Sequence, residues 1–387
     1  MGRIIRRFTS HKALLICMIV VAAGLRSAAA TAKDEQVINH IYKAGENGYA
    51  CFRIPALLTT PDNILLAFAE ARRMNCGDAG DIDLVLKRSA DGGKTWSAMQ
   101  VVWSDSTNTC GNPVPILDRS NGRIVLVSTW NRGTDHEKQI MERSSKDGRH
   151  IYVLTSDDEG KSWSPAREIT SSVKMDNWTW YATGPCHGLQ IGSGMHKGRL
   201  VVPVNHVEAP ANQNFSHIIY SDDHGATWKL GNNTPQDMVN ETTVAEISGG
   251  RLMLNMRNAN RTLRTRNYSI SSDGGETWSD VKHDTTLVEP VCQGTLLNLV
   301  YDKKPVLLFA NPAHQTKREN LTLRLSYDDG SSWAASKVIH PGPSAYSDIA
   351  PYKKKDVAIL YESGKDKPYE GIAFKLIRIK DITKKVK

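Results

Sequence analysis

The chain has 387 residues, of which 40% are hydrophobic and 23% charged, as is usual for a globular protein. Its formal net charge of +8 comes from 49 basic and 41 acidic side chains, and residues 1–30 hold five of the basic ones and no acidic one. The rest of the chain carries +3 (44 basic minus 41 acidic), and this small excess gives no reason to predict nucleic-acid binding.

The first thirty residues have the pattern of a secretory signal peptide. Four basic side chains occur within the first twelve residues, an apolar run occupies residues 13–25, and small residues follow at 28–32. The apolar run is too short for a membrane-spanning helix, which needs roughly 20 residues. We therefore expect residues 1–30 to be removed and residues 31–387 to form one domain. The mature protein is then expected to be secreted or extracytoplasmic, without a stable membrane anchor.

Five cysteines follow the predicted leader: Cys51, Cys76, Cys110, Cys186 and Cys292. Their spacing matches no zinc-binding pattern, and export would permit disulfide bonds. Because five is an odd number, at least one thiol stays unpaired, and the sequence does not say which.

A motif of the form Ser-x-Asp-x-Gly-x-x-Trp occurs five times. Its copies are residues 89–96, 156–163, 221–228, 271–278 and 326–333. Asp and Gly favour turns, the Trp side chain buries a large ring, and strand-like segments precede most copies. Each copy therefore predicts a turn between two β-strands. The tryptophans recur every 50 to 67 residues, which predicts an array of similar sheets.

Four-stranded sheets repeated around an axis form a β-propeller. Five motifs predict five such units, and the 54 residues after Trp333 leave room for a sixth. The predicted fold is all-β: a six-bladed β-propeller of four-stranded antiparallel sheets. A solenoid or a series of separate modules is the alternative. It is less favoured because no linker rich in Gly, Ser or Pro divides the chain.

The chain resembles the bacterial-type sialidases in the tetrapeptide Phe52-Arg53-Ile54-Pro55 followed by the five motifs. This resemblance covers nearly all of residues 35–380. It implies an exo-α-sialidase that removes terminal sialic acid from oligosaccharides, glycoproteins or glycolipids and requires no metal or organic cofactor. Propellers with such motifs also serve as receptors and binding modules, so the argument for function depends on the site residues.

Sialic acid carries a carboxylate on its anomeric carbon, and arginines bind carboxylates through a planar fork. The resemblance implies three such arginines, which correspond here to Arg53, Arg257 and Arg318. Glu362 corresponds to the acidic residue that steadies the first of them. Three further arginines lie close to Arg257 in sequence, but their flanking residues do not match: Arg261, Arg264 and Arg266.

Most retaining glycosidases use a carboxylate nucleophile, but the substrate's own carboxylate would repel one. The resemblance implies a neutral tyrosine instead, Tyr346 in this chain. A phenol with a pKa of about 10 needs a neighbouring base, and Glu241 matches that partner. Glu246 is the rival base; Glu241 is preferred because it directly follows Asn240, as in the family motif.

The leaving oxygen also needs a general acid. Asp78, six residues after Arg72, matches the family's acid, and Arg72 is expected to line the sugar pocket. Asp81 is the second choice for the acid, and Asp83 is better suited to starting the next strand.

The segment 177–188 resembles the side of the family's pocket that holds the N-acetyl and glycerol groups. Trp178 and Tyr181 are therefore expected in the pocket, with packing in the core as the alternative. Glu137 is a further pocket candidate, although the loop around it aligns in several ways.

Three other functions compete with hydrolysis. A receptor-type propeller would bind protein ligands and would not need three carboxylate-binding arginines. A trans-sialidase would transfer sialic acid to a sugar acceptor. A non-catalytic sialoglycan-binding propeller would keep the arginines but could lose the acid, the base or the tyrosine. Candidates for all three are present, which favours an enzyme. Asn240 lies in a glycosylation sequon beside Glu241, and we expect it to be unmodified in active protein.

Overall fold

A computed structural model describes residues 1–2 and 38–383 of the chain. Apart from its first two residues, the predicted leader lies outside the described residues. Residues 38–383 contain 24 strands, three short helices and one 3-10 turn. None of these helices is long and apolar enough to cross a membrane.

The strands are numbered in chain order. The first nine are β1 (His40–Lys43), β2 (Cys51–Thr59), β3 (Leu65–Arg72), β4 (Ile82–Ser89), β5 (Gln100–Trp103), β6 (Thr109–Leu117), β7 (Ile124–Asn131), β8 (His150–Ser156) and β9 (Arg167–Glu168). The next nine are β10 (Trp178–Thr183), β11 (Leu189–Gln190), β12 (Leu200–Glu208), β13 (Gln213–Ser221), β14 (Lys229–Leu230), β15 (Val239–Ile247), β16 (Arg251–Asn258), β17 (Thr265–Ser271) and β18 (Lys282–Val288). The last six are β19 (Thr295–Tyr301), β20 (Lys304–Pro312), β21 (Glu319–Ser326), β22 (Ala335–Tyr352), β23 (Asp356–Ser363) and β24 (Gly371–Arg378). The helices are α1 (Glu137–Met141), α2 (Thr170–Val173) and α3 (Lys380–Thr383), and the 3-10 turn is Ser248–Gly250.

Hydrogen bonds group these strands into four sheets, which contain β2–β9, β10–β14, β15–β18, and β19–β24 together with β1. Paired strands are antiparallel, except for a single parallel pair, Ile82 with Thr109, that joins β4 to β6. The long strand β22 pairs with β21 along its first half and with β23 along its second half. The all-β, antiparallel prediction is confirmed, whereas the count of six blades stays a prediction.

Strand β3 shows why a strand that is buried on both faces is largely apolar. Successive side chains of a strand point to opposite faces of its sheet. Leu65 and Ala67 pack on one side, in a cluster that includes Phe374 of β24. Leu66 and Phe68 pack on the other side, in a cluster with side chains of β7 and β8. Because other strands cover both faces of β3, each fully buried Leu or Phe contributes roughly 2 kcal/mol to folding.

The five repeated motifs form turns of one design. In the third copy, the Ser221 hydroxyl accepts a hydrogen bond from the Gly225 N–H at 2.8 Å. Asp223 accepts from the N–H and the hydroxyl of Thr227 at 2.8 and 2.6 Å. The equivalent bonds occur in the other four copies. Each copy connects two antiparallel strands, which confirms the turn prediction.

A disulfide joins Cys51, the first residue of β2, to Cys76 in the loop after β3. The other three cysteines of the described region are free and buried: Cys110, Cys186 and Cys292. The bridge answers the pairing question that the sequence left open. It also ties the loop that carries Asp78 to the strand that carries Arg53.

Candidate active site

One cavity of about 250 Å³ brings together most of the predicted site residues. Seven of them line it: Arg53, Arg72, Asp78, Glu241, Arg257, Arg318 and Tyr346. They come from β2, β3, β15, β16 and β22 and from the loops after β3 and before β21. Further lining residues include Glu70, Asn112, Glu137, Arg149, Trp180 and Arg261.

Five strands change register where they meet this cavity. The shifts lie between Arg53 and Ala56 in β2, Gly111 and Val114 in β6, Trp178 and Tyr181 in β10, Val239 and Thr242 in β15, and Ser344 and Ser347 in β22. A β-bulge redirects side chains and is frequent beside active sites. In β2 the bulge includes Ile54 at φ 54°, a left-handed conformation that β-branched residues rarely adopt. The bulges thus aim Arg53, Asn112, Asn240, Glu241 and Tyr346 towards the cavity.

Tyr346 and Glu241 are in direct contact. The Tyr346 hydroxyl donates a hydrogen bond to Glu241 Oε1. Arg257 Nη1 donates to Glu241 Oε2 at 2.6 Å and to the Tyr346 oxygen at 3.1 Å. Burial and then the charge of Glu241 raise the pKa of Tyr346 well above 10, against the opposing effect of Arg257 and Arg318. The phenol is therefore neutral, and Glu241 is placed to accept its proton.

Glu362 lies behind Arg53 and is fully buried. Its two carboxylate oxygens accept hydrogen bonds from Arg53 Nε at 3.0 Å and Nη2 at 3.4 Å. They also accept from the backbone N–H groups of Ile54 at 2.9 Å and Tyr346 at 3.1 Å. One buried carboxylate thus fixes both the arginine and the backbone of the tyrosine.

Arg318 approaches Tyr346 from another side. Its Nη1 donates to the Tyr369 hydroxyl at 2.6 Å, and its Nη2 donates to the Val291 carbonyl at 3.3 Å. The guanidinium carbons of Arg53 and Arg318 lie 5.0 and 5.5 Å from the centre of the Tyr346 ring. Within residues 38–383, Arg318 forms no ion pair, so its charge is available to an anionic ligand.

Asp78 lies at the mouth of the cavity with its side chain 68% exposed. Its Oδ1 accepts from Arg72 Nη1 at 2.7 Å and from Arg53 Nη1 at 3.3 Å. Desolvation alone would raise the pKa of Asp78, but Arg72 and then Arg53 bring it below its usual value. Without a ligand, Asp78 is therefore an ionised carboxylate shared by two arginines.

The alternative candidates for the acid and the base do not line this cavity. Asp81 and Asp83 both pair with Arg73, at 3.2 and 3.0 Å, and neither lines the cavity. Glu246 accepts from the Gly192 N–H at 2.6 Å and lines a different cavity.

Trp178 and Tyr181 lie in the core instead of the pocket. The Trp178 ring stacks on His206 with ring centres 3.5 Å apart, and Tyr181 is fully buried beside it. The bulge in β10 turns both rings to the core face, and Trp180, between them, lines the cavity. The alternative of core packing therefore describes these two residues.

Sequence reasoning missed Arg149, which directly precedes β8 and has no motif around it. This buried arginine stacks over Trp180, with its guanidinium carbon 4.0 Å from the ring centre. It donates to Asn112 Oδ1 at 2.6 Å and Thr129 Oγ1 at 2.7 Å, and its Nε has no hydrogen-bond partner in the described part of the chain. Burial lowers the pKa of Arg149 to about 10. Arg261, whose flanking residues did not match the family, also lines the cavity.

The cavity combines a neutral phenol held by a carboxylate, an exposed carboxylate between two arginines, and two further arginines, Arg149 and Arg318, that form no ion pair with other described residues. Such a set can bind an anion and move protons to and from a reacting bond. In residues 1–2 and 38–383, no three His, Cys, Asp or Glu side chains are grouped as a metal site.

Comparison with known proteins identifies the family to which the chain belongs. Residues 63–359 match the family described as BNR repeat-like domain. A sialidase of Micromonospora viridifaciens is 34% identical over 333 residues, which are 83% of this chain and 51% of that protein. A sialidase of Bacteroides fragilis is 31% identical over 364 residues, which are 88% of this chain and 64% of that protein.

The chain thus spans about half to two thirds of the length of these two curated relatives. Among solved structures, the Hadza microbial sialidase Hz136 is 31% identical with a TM-score of 0.80, and the match covers 89% of this chain and 68% of that one. These matches show that the chain belongs to the sialidase family of BNR repeat-like proteins.

Proposed function

We propose that the protein is an exo-α-sialidase, a glycoside hydrolase that releases terminal sialic acid from sialylated glycans with retention of anomeric configuration. The observation that carries this proposal is the contact of Tyr346 with both Glu241 and Arg257, in a cavity that Arg53 and Arg318 also line. A non-catalytic binding propeller has no need of a phenol hydrogen-bonded to a partly buried carboxylate.

The three arginines select the substrate. Arg53, Arg257 and Arg318 surround the Tyr346 side chain, so an anion bound among them lies next to the phenol oxygen. In a sialoside the carboxylate is attached to the anomeric carbon. Binding the carboxylate in this clamp therefore brings the reacting carbon to the nucleophile.

The reaction follows two displacements. Glu241 takes the phenol proton as the Tyr346 oxygen bonds to the anomeric carbon. The bond from that carbon to the glycosidic oxygen breaks, and the oxygen takes a proton from Asp78. Water then attacks the anomeric carbon and gives a proton to Asp78, while the Tyr346 oxygen leaves and recovers its proton from Glu241. Two inversions retain the configuration.

Asp78 must be protonated before it can act as the acid, although the two arginines keep it ionised in the free protein. The bound carboxylate competes with Asp78 for Arg53, whose Nη1 is only 3.3 Å from Asp78. Partial loss of this partner and the added negative charge raise the proton affinity of Asp78. In this proposal the substrate itself prepares the acid.

Release of a fluorophore from an aryl α-sialoside tests the proposal. We expect activity in the mature protein and at least about a 10²-fold loss of kcat in folded Tyr346→Phe, because the nucleophile is removed. Early NMR spectra should show the α-anomer of the sugar. A β-anomer first would refute the two-displacement scheme.

Two controls separate the competing functions. Lack of turnover by well-folded protein from pH 4 to pH 8, with retained sialoside binding, would favour the binding propeller. Sialylated lactose formed when lactose is added would favour transfer over hydrolysis.

We also propose six blades. A cavity of about 180 Å³ is lined by residues of six inner segments, from β2, β6, residues 187–190, β15, β19 and β22. Each of the two largest sheets can be divided into two groups of strands, one sheet within β22 and the other between β4 and β6. Together with the two smaller sheets, this gives six groups of strands, in keeping with six blades. Removal of residues 1–30 on secretion is part of the same proposal, and N-terminal sequencing of exported protein would test it.

A further inference from the structure

The loop that carries Asp78 runs from residue 73 to residue 81 and is here called the acid loop. Backbone hydrogen bonds hold its two ends. The Arg73 N–H donates to the Asp81 carbonyl at 3.1 Å, and the Arg73 carbonyl accepts from the Ala50 N–H at 3.3 Å. The ends of the acid loop are therefore fixed to each other and to the chain before β2.

The middle of the acid loop, residues 74–79, has few contacts with the rest of the protein. All six residues are exposed or only half-buried, so no side chain anchors this segment in the core. Within residues 38–383, its hydrogen bonds from outside the loop come from two side chains: Arg72 contacts two loop carbonyls and Asp78, and Arg53 contacts Asp78 alone. The position of Asp78 therefore depends on two arginines and on any covalent link.

The two arginines bind the ionised form of Asp78 better than its acid form. Both contacts are ion pairs, at 2.7 Å from Arg72 and 3.3 Å from Arg53. In the proposed reaction Asp78 is protonated when it donates to the leaving oxygen, and a neutral carboxyl group attracts a guanidinium less strongly. The substrate's carboxylate also competes for Arg53. The ionic contacts thus weaken at the step in which the position of Asp78 matters most.

One contact with the middle of the acid loop does not depend on charge. The disulfide attaches Cys76, two residues before Asp78, to Cys51. Cys51 is fully buried and pairs with Arg72 across β2 and β3, and this strand pairing continues through Arg53. Because the pairing holds β2 without the bridge, the disulfide ties the loop to a support that stays in place when the bridge is opened.

We propose that the Cys51–Cys76 disulfide positions Asp78 for proton donation to the leaving oxygen. This inference rests on the proposed sialidase function and adds two positioning residues to its catalytic groups. Opening the bridge leaves Arg53 and Tyr346 in place but lets Asp78 move away from the glycosidic oxygen. The loss is therefore large for substrates whose leaving group needs a proton and small for those whose leaving group departs as a stable anion.

Two α-sialosides with different leaving groups test this role. Sialyllactose releases a sugar hydroxyl that must be protonated, whereas 4-nitrophenyl α-sialoside releases a stable phenolate. The quantity to compare is kcat/KM, because it excludes the later hydrolysis of the sialyl-enzyme. For Cys51→Ala/Cys76→Ala we expect kcat/KM for sialyllactose to fall at least about tenfold, as part of the roughly 10²- to 10⁴-fold that a general acid contributes. We expect kcat/KM for the nitrophenyl substrate to change less than about threefold, because its departure needs little help from an acid.

A double-mutant cycle separates this role from a merely structural one. In the Asp78→Asn background no acid remains to be positioned. Adding Cys51→Ala/Cys76→Ala to that background should therefore change kcat/KM for sialyllactose less than about twofold. A bridge that only stabilises the fold would instead act independently of Asp78, and the two losses would multiply.

Reduction of the folded protein repeats the test without a mutation, and it decides the question if the double variant does not fold. A dithiol opens the bridge to two thiols and is itself oxidised to a disulfide, and thiol titration counts the new thiols. We expect the same selective loss, measured below the melting temperature of the reduced protein. The double variant should not respond to the dithiol, because the other three cysteines of residues 38–383 are free.

Cys110→Ala is the matched control, since it alters a buried free cysteine that does not line the cavity. It should cleave both substrates as the unaltered protein does.

Each other outcome overturns the inference. An equal fall with both substrates would mean that the bridge supports the whole cavity and not Asp78 in particular. No fall with either substrate would mean that Arg72 and Arg53 hold the acid loop unaided. Losses that multiply in the Asp78→Asn background would mean that the bridge does not act through Asp78. An unaltered protein that cleaves neither substrate would refute the proposed function, and with it this role of the disulfide.

Discussion

The five repeated turns and the active-site cavity both depend on carboxylates that accept several hydrogen bonds, but their partners come from very different distances along the chain. In the second turn, Asp158 accepts only from residues up to four positions away. In the cavity, Glu241 accepts from a residue 105 positions away, and behind the cavity wall Glu362 accepts from one 309 positions away. The turn is thus a local structure that any suitable octapeptide can encode, whereas the cavity exists only once the sheets have assembled.

The two regions also differ in how their charges are balanced. Each turn carboxylate is surrounded by neutral donors and needs no ligand. The cavity holds Arg149 and Arg318, neither of which forms an ion pair within residues 38–383. Cations left without an acidic partner lower stability unless a bound anion offsets them. The charges of the turns therefore stabilise the fold, whereas those of the cavity favour the binding of an anion.

The strongest test of this contrast is Arg318→Lys. Lysine keeps the charge but loses the planar fork that grips a carboxylate. We expect kcat/KM for an aryl α-sialoside to fall roughly 10- to 100-fold, mostly through KM, as is typical for a hydrogen bond to a charged group. Arg324→Lys on β21, whose arginine bonds to Asn311 outside the cavity at 3.0 Å, is the control and should change activity little. If Arg318→Lys had the same KM as the unaltered protein, Arg318 would not be the residue that binds the substrate carboxylate.

A second test concerns the pH dependence of ligand binding. The pKa of Asp78 is lowered in the free protein, since Arg72 and Arg53 outweigh desolvation, and we expect the bound carboxylate to raise it. A group whose pKa rises on binding takes up protons, so affinity increases as pH falls. From pH 7 to pH 5, affinity for the 2,3-dehydro analogue of sialic acid should increase more in the unaltered protein than in Asp78→Asn.

Calorimetry in buffers of different ionisation enthalpy measures the same proton uptake directly. Equal pH slopes for the two proteins would show that the substrate does not prepare the acid.

The smallest expected effect is in the turns. Hydrogen bonds from the hydroxyl and N–H of Ser162 lower the pKa of Asp158 to about 2. A lowered pKa stabilises the fold above the unfolded value, near 4, and this contribution is lost as pH falls through about 2. Asp158→Asn should lower the free energy of unfolding by about 1 kcal/mol at pH 7, and less towards pH 2. Urea unfolding at both pH values measures this, and sialoside cleavage should stay within twofold.

The sequence was most informative where structure is local or where a motif could be matched. The turns follow from Asp, Gly and Trp at fixed spacing, and the resemblance indicated seven residues that do share one cavity. The bulges could not be predicted, because a register shift depends on the neighbouring strand. That is why Trp178 and Tyr181 were expected in the pocket while Trp180 lines it. Arg149 was missed for a similar reason, since only the fold brings it beside Asn112 and Trp180.

Strand β1 has a consequence for how the molecule is made. His40 near the start of residues 38–383 pairs with Ala373 near their end, and β1 pairs with no other strand of these residues. Pairing β1 with β24 closes a loop that contains most of the described residues. This closure costs conformational entropy, which is offset only when the two strands are in contact. During synthesis, β1 must therefore wait unpaired until residues 371–378 have emerged. Protease protection of β1 should consequently be among the last properties that the newly made chain acquires.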